Sequence, residues 1–170
     1  MRDGLVGLPH KWKRGVARLV RLPLMRWLMV IAVHLVVPRH RIGVAVVVMD
    51  NHGRVLLLRH VYHPQTPWGL PGGWVGRGEA PPAAALRELQ EETGLTAKLG
   101  PLVHHSYDRR PAHVGLIYLA FAEPAVMQLS HEILEASWFA PEALPASLQP
   151  SVRVGIASAV ETATAYHFKM

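Results

Sequence analysis

Three glutamates, Glu88, Glu91 and Glu92, are spaced by three and four residues, which puts their carboxylates on neighbouring turns of one helix side. With Glu79, they place four of the chain's twelve acidic residues within fourteen positions. Like charges at this spacing destabilise a helix, so the fold must supply something that offsets them. The helix is legible over 81–93: Pro81 and Pro82 suit its first turn, Ala83–Leu89 are strong formers, and Gly94 stops it. Just before it, "LPGGWVGRGE" carries four glycines that allow tight turns and close backbone approach. A carbonyl from that loop and carboxylates from the helix make an all-oxygen site. Such a donor set suits a hard divalent cation, Mg²⁺ above all with Mn²⁺ the alternative, and that cation would relieve the repulsion.

Around this segment the pattern is one of short apolar runs. "IGVAVVVMD" and "RVLLLRH" flank the turn-rich Asp50–Gly53 and predict a hairpin of mostly buried strands. "YHPQTPWGLPGG" predicts a loop leading to a short segment around Trp74. Further strands are expected near Leu102–Tyr107, Ala112–Ala122 and Ala136–Phe139, a helical turn in "APEALPA", and a closing helix over Ser151–Tyr166. Strands with one central and one closing helix give an α/β class, a mixed sheet between helical layers.

The full spacing from Gly73 is five residues, Glu79, seven residues, then Arg87-Glu88-Leu89-x-Glu91-Glu92-x-Gly94-Leu95. It resembles the signature of the Nudix hydrolase family, G-x5-E-x7-R-E-U-x-E-E-x-G-U with U a bulky aliphatic, at every fixed position. The resemblance implies a Nudix-type α/β/α sandwich and a Mg²⁺-dependent pyrophosphohydrolase acting on a nucleoside diphosphate linked to another moiety. It implies that Glu91 and Glu92 are the principal metal ligands, with the Gly72 carbonyl a backbone ligand. Glu88 would be a further ligand or the base that takes the proton of the attacking water. Arg87 would orient the glutamates and Glu79 brace the loop. Physics agrees on Arg87, which precedes Glu91 by four residues and whose fixed fork suits carboxylates. The family often adds an acid from a loop before a late strand; "LSHEILEASWF" offers Glu132 and Glu135, and Glu132 is favoured because Glu135 lies nearer the apolar strand.

Substrate signals are thinner. Pro111 falls sixteen residues beyond Leu95, where a proline resembles a marker of the ADP-ribose branch, and proline is also an ordinary turn residue. Arg109 and Arg110 suit a terminal phosphate or a solvated turn. Trp68 suits a stacked ring or packing against its loop, and Tyr107 and Tyr118 lie where other branches of the family read a base. His60, His63, His104 and His105 lack metal spacing and are taken as core or surface residues. ADP-ribose or a nucleotide sugar is the first choice of substrate. Alternatives are a nucleoside triphosphate pyrophosphatase, an isoprenoid or lipid diphosphate hydrolase, and a non-catalytic nucleotide-sensing module.

The net charge of +6 is unevenly divided. Residues 1–41 hold nine Lys/Arg against Asp3, a net +8, and the other 129 carry nine Lys/Arg and eleven acids, a net −2. The basicity belongs to an N-terminal arm, residues 1–40, ahead of a domain at 41–170, and does not argue for nucleic acid as a partner of that domain. Helical geometry from Trp12 to Trp27 puts Arg14, Arg18 and Arg21 on one stripe and Trp12, Val16, Leu19, Val20 and Trp27 opposite it. This basic amphipathic pattern suits peripheral contact with an anionic membrane through residues 11–37, or packing on the body or on a second copy in a homodimer. Pro23 is expected to interrupt the helix. "WLMVIAVHLVVP" is too short to span a bilayer, and a signal peptide is not expected. The absence of cysteine excludes disulfides, thiolate metal sites and a cysteine nucleophile. A cytoplasmic location, with membrane association through the arm, is the expectation.

Overall fold

The computed structural model describes residues 22–37, 40–62, 64–109 and 112–167. The chain divides into two units, Met1–Arg39 and His40–Met170. The first contains helix α1 (Pro23–Val36). Pro23 opens this helix: at the first helical position its missing N–H costs nothing and its fixed φ is already helical. Residues 12–21, with the three arginines of the basic stripe, lie outside the described residues. Among the described residues no helix is long and apolar enough to cross a membrane.

The second unit is built on seven strands: β1 (Arg41–Met49), β2 (Val55–His60), β3 (Trp68–Gly69), β4 (Gly72–Trp74), β5 (Lys98–Arg109), β6 (Ala112–Phe121) and β7 (Ile133–Phe139). Helix α2 (Pro81–Thr93) follows β4, a 3₁₀ turn covers Pro141–Ala143, and α3 (Pro150–His167) closes the chain. The sheet is mixed: β1 and β6 run parallel, and the other pairs are antiparallel.

Period-two alternation along the strands assigns the two faces of the sheet. Val44, Val46 and Val48 of β1, with Leu56 and Leu58 of β2, pack beneath Ala84, Ala85 and Leu89 of α2. Val47 and Met49, with Leu57 and Leu119, point the other way and meet Ile156, Ala159 and Ala163 of α3. Strands covered on both faces read as unbroken apolar runs, which is why "VAVVVM" and "VLLL" show no polar alternation. The result is the α/β/α sandwich.

The hairpin expected of β1 and β2 is one only at its tip. Asp50 builds the turn: Oδ1 accepts from the amides of His52 (2.9 Å) and Arg54 (2.8 Å), and Oδ2 from Arg54 Nε (2.7 Å). Met49 opposite Val55 is the registered pair, and the strands then part. The segment expected to be a loop fills the fork, with β3 pairing on β2 and β4 on β1. Two residues of strand at β3 were too few to show as a periodic pattern.

α2 ends as the sequence demands. Gly94 takes the left-handed conformation, φ 73°, and its amide donates to the Gln90 carbonyl at 2.8 Å. Leu89, on the inward side, is fully buried. Leu89→Ala is expected to cost about 2–5 kcal/mol through lost burial and the cavity left behind, read as a lower urea midpoint at unchanged slope.

Candidate active site

The crowded acids sit where the edge strand β4 meets the last two turns of α2, and a guanidinium is seated among them. Arg87 Nε donates to Glu79 Oε1 at 2.9 Å and Nη2 to Glu79 Oε2 at 3.1 Å. Nη1 reaches Glu91 Oε2 at 2.9 Å and Glu88 Oε1 at 3.0 Å, and Nη2 also donates to the Trp74 carbonyl at 3.2 Å. One planar fork thus ties the loop, the strand and two helix carboxylates together. Glu79 in turn accepts the Gly76 amide at 2.8 Å, closing the loop on itself. Arg87 and that amide hold the Glu79 carboxyl below its usual range.

Gly73 lets β4 approach α2, and Gly72 lets it approach β1, where a β-carbon would meet the backbone of Val44 and Ala45. A β-carbon at Gly73 would lie 2.5 Å from the Glu88 carboxylate, so no other residue fits there without displacing that acid. Hydrogen bonding fixes what Gly72 presents. The amides of Val46 and Val75 donate to Pro71 and Ile42, both at 2.9 Å, so Gly72, opposite Ala45, falls at a non-hydrogen-bonded position of the β1–β4 ladder. Its amide and carbonyl therefore face away from β1. The amide donates to Glu92 Oε2 at 2.9 Å, and the carbonyl is directed to the same side.

Glu92 is the buried member of the set, 8% exposed. Burial, reinforced by the charges of Glu88, Glu132 and Glu91, pushes its carboxyl up to about 7, and the Gly72 amide only partly opposes this. Arg87 therefore offsets most of the repulsion that the sequence raises, and the remainder is concentrated on Glu92.

Glu132 reaches this neighbourhood through backbone bonding. The Ser130 amide donates to the Glu92 carbonyl (3.1 Å) and the Gln128 amide to the Thr93 carbonyl (2.9 Å), satisfying the open C-terminal end of α2 and docking the loop beside it. Glu132 is half exposed and lines the same cleft as Glu88, Glu91 and Glu92. Glu135 instead pairs with Arg59 across β2 and β7 at 3.6 Å.

The donors are hard oxygens with excess negative charge, which fits a divalent cation. Ser130 Oγ, buried without a hydrogen-bond partner among the described residues, also lines the cleft. Among the described residues no three acids or histidines already stand as a metal cage, and the carboxylate oxygens are bonded to Arg87 and the Gly72 amide instead.

The cleft encloses about 1040 Å³. Trp68 lines it from β3 but stands edge-on to Phe139 at 5.1 Å, packed against the α3-side core. Arg109, at the end of β5, is not among the lining residues, and Arg110, Pro111 and His63 lie outside the described residues. Tyr118 is a core residue beneath α2, so it reads no base. Tyr107 meets His40 edge-on at 5.5 Å, while its neighbours Ser106 and Asp108 line the cleft. Sequence reasoning missed those two together with Trp74 and His113; strand parity would have found them once β5 and β6 were paired in register.

A family model described as the NUDIX domain matches residues 39–158. A MutT-like protein of Streptomyces ambofaciens is 30% identical over 105 residues, 62% of this chain and 67% of that one. An RNA pyrophosphohydrolase of Roseobacter denitrificans is 39% identical over 72 residues, 42% of this chain and 45% of its own length, so the chain spans under half of that relative. The MutT protein of Methanosarcina mazei superposes with a TM-score of 0.60 at 24% identity, over 76% of this chain and 98% of that one.

Glu92 also makes a prediction about stability. Its folded pKa lies above the unfolded value, so the metal-free chain is stabilised most below about pH 4.5 and loses that contribution as pH rises toward about 7. The loss is about 3 kcal/mol at most. Urea unfolding in chelator across that range checks it, and Glu92→Gln is expected to flatten the decline. The motif, the fold and the matched model agree, and the chain belongs to the Nudix family of pyrophosphohydrolases.

Proposed function

We propose that the chain hydrolyses a phosphoanhydride bond in a nucleoside diphosphate linked to a second moiety, using Mg²⁺, or Mn²⁺ in its place, held by the α2 carboxylates. The observation that carries this reading is the gathering of Glu88, Glu91, Glu92 and Glu132 at one end of a nucleotide-sized cleft. Acids grouped at the end of a cleft serve poorly as structure and well as cation ligands.

In this reading Glu91 and Glu92 present the principal charged ligands, and the Gly72 carbonyl adds a neutral one. When bound, the cation draws charge off the diphosphate oxygens and makes an attacking water more acidic. Glu88 either completes the ligand set or accepts the proton of that water, and Glu132 is the other candidate for the proton. Arg87 and Glu79 are positioning residues: the fork sets the angles at which Glu88 and Glu91 face the cleft. ADP-ribose or a nucleotide sugar remains the first choice of substrate. The RNA named for the Roseobacter relative is less well served, because a polyanion seeks positive surface and residues 42–170 carry a net −2.

Release of nucleotide and phosphate from ADP-ribose, nucleotide sugars, dinucleoside polyphosphates, nucleoside triphosphates and geranyl diphosphate, with Mg²⁺ and with chelator, tests the reading. One class is expected to be cleaved and chelator to stop it. Glu92→Gln is expected to lower turnover by about 10³-fold while circular dichroism shows an intact fold. An active Glu92→Gln variant would remove Glu92 from the metal site. Arg87→Lys, which keeps the charge and loses the fork, is expected to lower kcat by about tenfold or more.

A further inference from the structure

Away from the carboxylates, the cleft crosses the α3 side of the sheet over a floor where two neighbouring positions beside Ala45 and Ile117 carry no side chain. Gly43 of β1 lies opposite Gly115 of β6 in the parallel ladder, so two bare positions adjoin in mid-sheet. Glycine inside a strand weakens it and often marks close approach of another molecule. At Gly43 a β-carbon would meet His113 Cδ2 at 3.6 Å and Trp74 Cζ3 at 3.7 Å, both ordinary contacts, so packing does not require glycine. What a side chain there would occupy is cleft. At Gly115 a β-carbon would come 2.8 Å from Ser106 Oγ, so glycine leaves room for that hydroxyl.

Polar groups rim this floor. Antiparallel pairing sets Ser106 opposite Gly115 and Asp108 opposite His113, and opposite residues share a face. Asp108 Oδ2 lies 3.3 Å from His113 Nε2, and the Asp108 side chain is 53% exposed. Trp74 closes the other side, with its ring 5.2 Å from His113 and the Arg41 guanidinium 5.8 Å from its centroid. Trp74, Ser106, Asp108 and His113 all line the cleft that also holds the α2 acids.

A carboxylate accepts hydrogen bonds and donates none, so Asp108 disfavours a further phosphate beside it and welcomes adjacent donors. Two neighbouring hydroxyls match the two oxygens of one carboxylate, as the adjacent hydroxyls of a sugar do. The bare floor accepts a flat ring, and the Trp74 rim offers an apolar edge for its C–H groups. We propose that Asp108, positioned by His113 and flanked by Ser106, reads the vicinal diol of a sugar ring lying over the Gly43–Gly115 floor. This rests on the pyrophosphohydrolase reading only in placing the diphosphate at the α2 carboxylates. The diol belongs either to the nucleoside ribose or to a terminal sugar.

Calorimetric titration of the full chain in Mg²⁺ with non-hydrolysable α,β-methylene analogues separates these sources. The probes are methylene-ADP, its 2′-deoxy counterpart and methylene-ADP-ribose. One of two Kd ratios, deoxy over ribo or sugarless over sugar-bearing, is expected to reach about tenfold or more. The first ratio identifies the nucleoside ribose and the second a terminal sugar. Asp108→Ala is expected to bring the elevated ratio close to one, and Ser106→Ala to reduce it partly. Ratios near one in the unaltered chain, a ratio that survives Asp108→Ala, or failure to bind any analogue would each overturn the assignment. A chain that keeps the ratio but hydrolyses nothing would contradict the pyrophosphohydrolase reading alone.

Discussion

One guanidinium holds the acidic edge of this protein together. Arg87 bonds two carboxylate oxygens of Glu79, one each of Glu88 and Glu91, and the carbonyl of Trp74. A lysine in its place would supply the charge without the planar fork that meets several oxygens at once. The glycine loop, the edge strand and the last turns of α2 are thus fixed relative to one another by a single side chain. The cation expected from the sequence is therefore not needed to make the helix tolerable. What Arg87 does not neutralise is Glu92, whose buried carboxyl carries the electrostatic cost of the cluster.

The topology of the sheet explains why the acids face a cleft and not bulk solvent. β1 and β2 separate after their turn, and the β3–β4 segment pairs into the fork. That insertion leaves Gly72 at a ladder position whose peptide groups turn away from β1 toward α2. The same cleft continues over Gly43 and Gly115 toward Asp108, so metal-ligand candidates and the polar rim belong to one continuous surface.

Much of this was legible in the sequence because local rules governed it. Helix α2 is written in Pro81, the alanines and Gly94, and the register of its acids follows from helical spacing alone. The buried strands show as unbroken apolar runs. What escaped depended on pairing between distant segments. Two-residue β3 has no period to detect, and the fork exists only because β4 competes for the edge of β1. Tyr107 drew attention as an aromatic, but strand parity turns it to the face opposite Ser106 and Asp108, a difference visible only once β5 is in register with β6. Glu132 was found by its place in the family pattern; its route to the cleft, backbone bonds from Gln128 and Ser130 to the end of α2, has no signature in residue type.

Everything proposed for this cleft depends on the α2 carboxylates forming a divalent-cation site. Titration of the full chain with Mn²⁺, following the loss of its free paramagnetic resonance signal, tests this without reference to any substrate. Saturable binding is expected that Mg²⁺ competes away, and that fails when Glu91 and Glu92 are both changed to Gln. Saturable binding that persists in the double variant, or no binding by the folded chain, would contradict it.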